Sequence, residues 1–124
     1  MLIAENNKIL WDKKLKIMNF YSDWCPPCHA FMPNFIAAEE TFWDYFDFIA
    51  VNVSNNMELA WKFLVRWTPT VIILDWDKIL FNQSWVPNWQ ELKDLMISII
   101  WETPKKKNIV VEEKKTRKKF FWLF

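Results

Sequence analysis

The chain contains no glycine. Ordinary usage of about 7% would place roughly nine in this length, and without them the chain lacks the residue that most easily takes φ > 0 in turns and helix caps. Histidine is nearly as scarce, with one in 124 residues, and there are two cysteines. So few cysteines exclude a disulfide-stapled secreted scaffold, which is short and Cys-rich. No staple is needed either, because a domain of this size buries roughly two-thirds of its unfolded surface. The N-terminus shows no basic start followed by a long apolar core and a small-residue cleavage site, the marks of a secretory leader. No apolar run approaches the roughly 20 residues of a transmembrane helix. These absences point by default to a soluble, cytoplasmic protein, where a lone cysteine pair serves chemistry or metal binding more often than structure.

A strong excess of charge is also missing. The formal net charge is +1, but residues 104–124 hold 8 Lys or Arg against 2 Glu, and the preceding part holds 8 basic and 13 acidic residues. A mildly acidic domain with a basic tail predicts no nucleic-acid partner. The tail lacks sustained periodicity and is expected to be mobile and solvated. Weak contact with an anionic membrane surface, through its basic cluster and the terminal FFWLF, is the alternative, and with it a membrane-associated location.

What is present is a clear succession of apolar patterns. Lys14 to Ser22, KLKIMNFYS, is apolar at both parities in its centre, as in a strand covered on two faces. From Pro26 onward Phe31, Phe35, Ala38 and Phe42 fall on one helical stripe. Phe46 to Val53 predicts a second strand and Met57 to Val65 a short helix. TVIIL and ILFNQSW predict two strands joined by a tight turn at Asp75 to Lys78. A last helix is expected from Asn88, its N-cap, to Trp101, with Glu91 three residues on, close to a capping box. The order β-α-β-α-β-β-α predicts an α/β fold with a mixed four-stranded sheet and helices on both faces, the first two strands parallel through a right-handed crossover. Residues 1–13 form an N-terminal segment without an assigned element, 14–103 the domain and 104–124 the tail.

The cysteines lie in WCPPCH, residues 24–29, where the first strand ends and the first helix begins. A helix start stabilises a thiolate through free N–H groups and the positive end of the dipole. Cys25 stands at that point, Cys28 one turn along can close a disulfide with it, and Trp24 is expected to shield one side. Pro26 suits the first turn, where its missing N–H costs little, yet Pro26 and Pro27 together remove two donors, which predicts weaker thiolate stabilisation. CPPCH also fits c-type haem attachment with His29 as axial ligand, but haem usually implies export and leaves the remaining pattern unexplained. Zinc would be a ligand short unless Asp23 or a second chain contributed. The redox dithiol, which needs no cofactor, is the preferred reading. A haem or metal carrier, or a redox-silent binding module, is the alternative.

With WCPPC at a strand-to-helix junction, Pro33 five residues after the second cysteine and TPT at Thr68 to Thr70, the chain resembles a thioredoxin-fold thiol-disulfide oxidoreductase over roughly residues 14–101. The resemblance implies a thioredoxin-like domain in which Pro69 is cis and faces the cysteine pair. It implies that Thr68 offers backbone hydrogen bonds to an extended substrate peptide. Catalysis would fall to Cys25 and Cys28, and substrate contact to Trp24, Pro26, Pro27, Trp67, Thr68, Pro69 and Trp85. Protein disulfides are the implied substrates, an electron-donating reductase the implied partner, and a monomer the expected state. Many thioredoxins carry a buried Asp where this chain has Asn19, thought to help deprotonate the resolving thiol. Asn19 cannot ionise, which predicts slower resolution by Cys28.

Ten tryptophans accompany the missing glycines. Trp24 belongs to WCPPC. The other nine stand where glycine is ordinarily found: in the DWDK turn, before TPT, in SWVPNW, and at Trp11, Trp43, Trp61, Trp101 and Trp122 near boundaries or among polar residues. The pattern predicts that these positions are glycine in the native protein, encoded by UGA in a lineage that reads it so. A deliberate glycine-to-tryptophan redesign is the alternative.

Overall fold

The computed structural model describes residues 1–9, 15–85 and 89–102, without the side chain of Trp89. Its elements are β1 (Leu2–Ile3), β2 (Leu15–Tyr21), α1 (Pro26–Phe42), β3 (Phe46–Asn52), α2 (Met57–Lys62), β4 (Thr70–Asp75), β5 (Lys78–Ser84) and α3 (Trp89–Glu102). The β2, β3 and β4 runs are buried at both parities because helices or loops cover both their faces. β5 alternates little and is largely exposed, as an edge strand can be.

Among the described residues the sheet has five strands in the order β1-β3-β2-β4-β5, one more than the pattern predicts. β1 pairs parallel with β3, Leu2 opposite Ile49 and Ile3 opposite Ala50. Two residues carry no readable period, so this strand exists only through its pairing. Asn56, fully buried, holds it in place. Its Nδ2 donates to the carbonyls of Ala4 (3.2 Å) and Asn52 (2.9 Å), and its Oδ1 accepts from the Asn7 N–H (2.7 Å). Asn7 answers by accepting from the N–H groups of Glu58 (3.0 Å) and Leu59 (3.2 Å) at the start of α2, satisfying donors that a helix N-terminus leaves free.

β2 runs parallel to β3 and antiparallel to β4. On one face Phe35 of α1 meets Phe48 of β3 edge-on, with ring centroids 5.5 Å apart, and Phe31 stacks beside Phe35. The predicted stripe Phe31, Phe35, Ala38 and Phe42 is buried throughout. On the other face Met18, Phe20, Ile49, Val51, Ile72 and Leu74 form a cluster against which Leu59 of α2 and Phe63 pack. Each such fully buried side chain contributes about 1.5–3 kcal/mol relative to exposure.

α2 stops at Lys62, short of the expected Val65. Leu64 enters the left-handed region at φ 57°, and the Val65 N–H turns back to the Ala60 carbonyl at 2.8 Å. That closure satisfies the end of the helix and cannot be continued by another turn. At the opposite end of the sheet from the cysteines, Lys16 is buried in β2, its Nζ 4.8 Å from the Trp76 ring centroid and 3.4 Å from the Trp76 carbonyl.

The chain divides into two compact units, Met1–Leu92, which holds the sheet, α1 and α2, and Lys93–Phe124, described over Lys93–Glu102. In α3, Leu92, Met96 and Ile99 are buried. The expected N-cap Asn88 and the basic tail lie outside the described residues.

Candidate active site

β2 ends at Tyr21 and the chain crosses a short loop before α1 begins at Pro26. Cys25 is the N-cap of α1, extended at φ −140° and ψ 92°. Its carbonyl accepts the first helical bonds, from the Cys28 N–H at 2.9 Å and the His29 N–H at 3.1 Å. Its Sγ accepts a further bond from the Cys28 N–H at 3.2 Å. With prolines at the first two helical positions, Cys28 is the first residue of the helix with an N–H to give. One backbone donor therefore stands where a proline-free loop would offer several.

Cys25 and Cys28 are joined as a disulfide, with Cα atoms 5.2 Å apart. Both residues are buried, Cys25 at 6% exposed and Cys28 at 2%. His29 Nε2 lies 3.1 Å from the Asp23 carbonyl. Among the described residues no group of three or more His, Cys, Asp or Glu gathers as a metal site.

From the other side the loop before β4 brings Thr68 against Cys25. The Thr68–Pro69 peptide bond is cis. The Thr68 carbonyl oxygen is 3.6 Å from Cys25 Sγ and its hydroxyl 3.5 Å from the same sulfur. Ser22 Oγ in turn lies 3.2 Å from Thr68 Oγ1. The Pro69 carbonyl accepts from the Trp85 N–H at 3.0 Å, and Thr70 Oγ1 donates to the Trp67 carbonyl at 2.6 Å. Thr68 thus contacts the Cys25 sulfur directly, Pro69 follows it in the chain and Trp85 is tied to Pro69 by its N–H.

Trp24 does not shield the sulfur as expected. It is 94% exposed, because the loop turns its side chain to solvent. Pro26 is exposed and Pro27 half-buried. Trp67 and Trp85 are both more than half exposed.

Two features have no signal in the sequence. Ser22 and the Thr68 hydroxyl are 46 positions apart and meet only through the fold. The same is true of Asp23 and Asn52: Asn52 Nδ2 donates to Asp23 Oδ1 at 3.0 Å, fastening the loop before Cys25 to the end of β3. Beneath the site Asn19 is fully buried in β2. Its Nδ2 lies 4.0 Å from Met32 Sδ, and its Oδ1 has no hydrogen-bond partner among the described residues. A cavity of about 540 Å³ lies elsewhere, lined by Met57, Trp61, Leu64 and Arg66 among others. It contains neither cysteine and has no part in the dithiol's geometry.

Comparison with known proteins agrees with this arrangement. The Thioredoxin family model matches residues 4–98. A thioredoxin of Mycoplasmoides gallisepticum is 30% identical over 96 residues, spanning 75% of this chain and 92% of that protein. Thioredoxin H4-1 of rice, Oryza sativa subsp. japonica, is 35% identical over 72 residues, 58% of this chain and 52% of its own length. In fold, the germline-specific thioredoxin Deadhead of Drosophila melanogaster superposes with a TM-score of 0.65 at 23% identity, over 71% of this chain and 83% of its own. The thioredoxin of Fasciola hepatica gives 0.62 at 26% identity, over 69% of this chain and 82% of its own. With the family model covering residues 4–98, a relative matched over most of both chains, and two cysteines paired at a helix start, the chain belongs to the thioredoxin family and is a thiol-disulfide oxidoreductase.

Proposed function

We propose that the protein works as a cytoplasmic, monomeric reductase of protein disulfides, with Cys25 as nucleophile and Cys28 as resolving residue. The observation that carries this reading is the position of Cys25 Sγ. It caps α1 and accepts from the Cys28 N–H at 3.2 Å, in the less buried of the two cysteine residues.

The cycle starts from the reduced dithiol. Cys25, as thiolate, attacks one sulfur of a substrate disulfide; that S–S bond breaks and the departing sulfur takes a proton. Cys28 then loses its proton and attacks Cys25 Sγ, forming the disulfide seen here and releasing the second substrate sulfur, which is protonated in turn. The substrate gains two electrons and two protons, and the dithiol loses them. An electron-donating reductase returns the pair to the thiol state. Substrate backbone is held beside Thr68 and Pro69, with Trp24, Pro26, Pro27, Trp67 and Trp85 forming the surrounding surface.

The test is dithiothreitol-driven reduction of insulin disulfides. The intact protein should accelerate precipitation of the insulin B chain, Cys25→Ser should abolish the effect, and Cys28→Ser should accumulate a mixed disulfide at Cys25. A rate no greater than that of dithiothreitol alone would refute the reading, as would alkylation of Cys28 ahead of Cys25.

A further inference from the structure

We infer that the Thr68 hydroxyl, backed by Ser22, is a second donor to the Cys25 thiolate and supplies part of what Pro26 and Pro27 withhold. This rests on the reading of Cys25 as nucleophile. Thr68 presents two groups to the same sulfur, a carbonyl oxygen at 3.6 Å and a hydroxyl at 3.5 Å. The carbonyl can only accept, so it favours the protonated thiol. The hydroxyl can donate, so it favours the anion, and a bond to a charged acceptor is about twice as strong as a neutral one. Ser22 Oγ lies 3.2 Å away and can either donate to Thr68 Oγ1 or accept from it. When Ser22 donates to Thr68 Oγ1, the Thr68 proton is directed onto Cys25.

The loss of backbone donors makes this hydroxyl matter. Among the described residues the Cys28 N–H is the one backbone donor to Cys25 Sγ, so a single additional donor is a large fraction of the total. Removing it while leaving the carbonyl in place tips the balance toward the thiol.

The experiment is the pH dependence of Cys25 alkylation by iodoacetamide in the reduced protein, read by peptide mass. Thr68→Val, nearly isosteric, should raise the midpoint by about one pH unit. Thr68→Ser should keep it near that of the parent, and Ser22→Ala should raise it by a smaller amount. An unchanged midpoint in Thr68→Val overturns the inference, and so does a Thr68→Ser midpoint as high as that of valine. If Thr68→Val does not fold, Ser22→Ala decides alone, an unchanged midpoint counting against. Insulin reduction by the parent keeps the two readings apart, since it can persist when this one fails.

An independent observation carries a second inference. We infer that the tryptophans outside WCPPC occupy glycine positions, so that the substrate groove of the protein made in its own cell is walled by bare backbone. Trp76 and Trp85 both sit at φ 58°, in the left-handed region, which glycine enters freely and an aromatic residue does not. Trp76 is the first of the two central residues between the paired Asp75 and Lys78, where hairpins commonly require glycine. Each of the six tryptophans outside WCPPC whose side chain is described is at least 59% exposed, although this residue is ordinarily among the well-buried ones; Trp24 is exposed too, so exposure counts only beside the conformation. Leu64 shares the left-handed conformation, so conformation alone does not identify a replaced glycine. Conformation, exposure and the missing glycines together do.

Trp85 is hydrogen-bonded to Pro69, and Trp67 precedes Thr68 directly. As glycines they leave room for an extended peptide to approach the backbone at Pro69. Peptide mass spectrometry of the protein isolated from its source, with the codons of its gene, provides the test. Glycine at 67, 76 and 85 with UGA codons supports the inference. Tryptophan there, or UGG codons, overturns it. In the recombinant chain Trp67→Gly with Trp85→Gly should raise kcat/KM several-fold for an extended peptide disulfide and less for a small disulfide. An equal change for both would refute the groove.

Discussion

Asn19→Asp tests both the energetics beneath the site and the role of the missing acid. Asn19 lies in the middle of β2, opposite Ala50 on one side and Val71 on the other, and is fully buried. Among the described residues its Oδ1 has no hydrogen-bond partner, and its Nδ2 faces the Met32 sulfur at 4.0 Å. A carboxylate placed there loses water and gains no donor, so desolvation raises its pKa by about 3 units, the lower end for buried acids. At 1.36 kcal/mol per unit the folded state loses about 4 kcal/mol. The sign follows from linkage: the folded protein binds more protons than the unfolded one, so stability falls as pH rises from about 4 to about 7 and stays low above. Urea unfolding at a series of pH values, compared with the parent, measures it. At a slope of about 1–2 kcal/mol per molar urea the midpoint should fall by about 2 M or more near neutrality and recover in acid. Rapid-quench release of a labelled peptide from the Cys25 mixed disulfide gives the functional half, with Asn19→Asp releasing faster. A pH profile parallel to that of the parent would refute the burial argument. An unchanged release rate would refute the proposed help to Cys28.

Phe35→Ala removes a fully buried ring that meets Phe48 edge-on. It should cost about 3–5 kcal/mol, seen as a lower urea midpoint, and a loss under about 1 kcal/mol would show that α1 does not depend on this contact. Asn56→Ala strips partners from Ala4, Asn7 and Asn52. It should cost about 2–3 kcal/mol and speed amide exchange at Ala4, whose N–H pairs with Ala50. Unchanged exchange there would mean that β1 is held by other contacts. Burial pushes the Lys16 ammonium below the ordinary lysine range, against the opposing pull of Asp47, Asp75 and Asp77. The unfolded chain therefore holds its proton to higher pH than the folded one, and stability should rise as pH climbs through the lowered value toward about 10.4. Lys16→Met should remove that alkaline rise in thermal melts, and a variant that retains it would disprove the assignment to Lys16.

Much of the fold was legible because its elements carry long, unambiguous periods. The α1 stripe from Phe31 to Phe42 is buried at each predicted position, and the β2, β3 and β4 runs are apolar at both parities because both faces are covered. β1 was illegible because two residues define no period and its identity lies in pairing with Ile49 and Ala50. The end of α2 was misplaced because Leu64, a good helix former by propensity, is drawn into the left-handed region by the closure onto Ala60. Trp24 was expected to cover Cys25 from its position alone, and position does not say which way a loop side chain turns.

By itself the sequence determined that two sulfurs stand one helical turn apart at the start of α1, since local spacing and a strand-to-helix change of period are written in neighbouring residues. Tertiary structure alone decided what those sulfurs face. Thr68 meets Cys25, Ser22 meets Thr68, Asn52 meets Asp23 and the β1 segment meets Asn56 across separations of 29 to 52 positions. Contacts of that separation are fixed by how the sheet is ordered and registered, which no local pattern encodes.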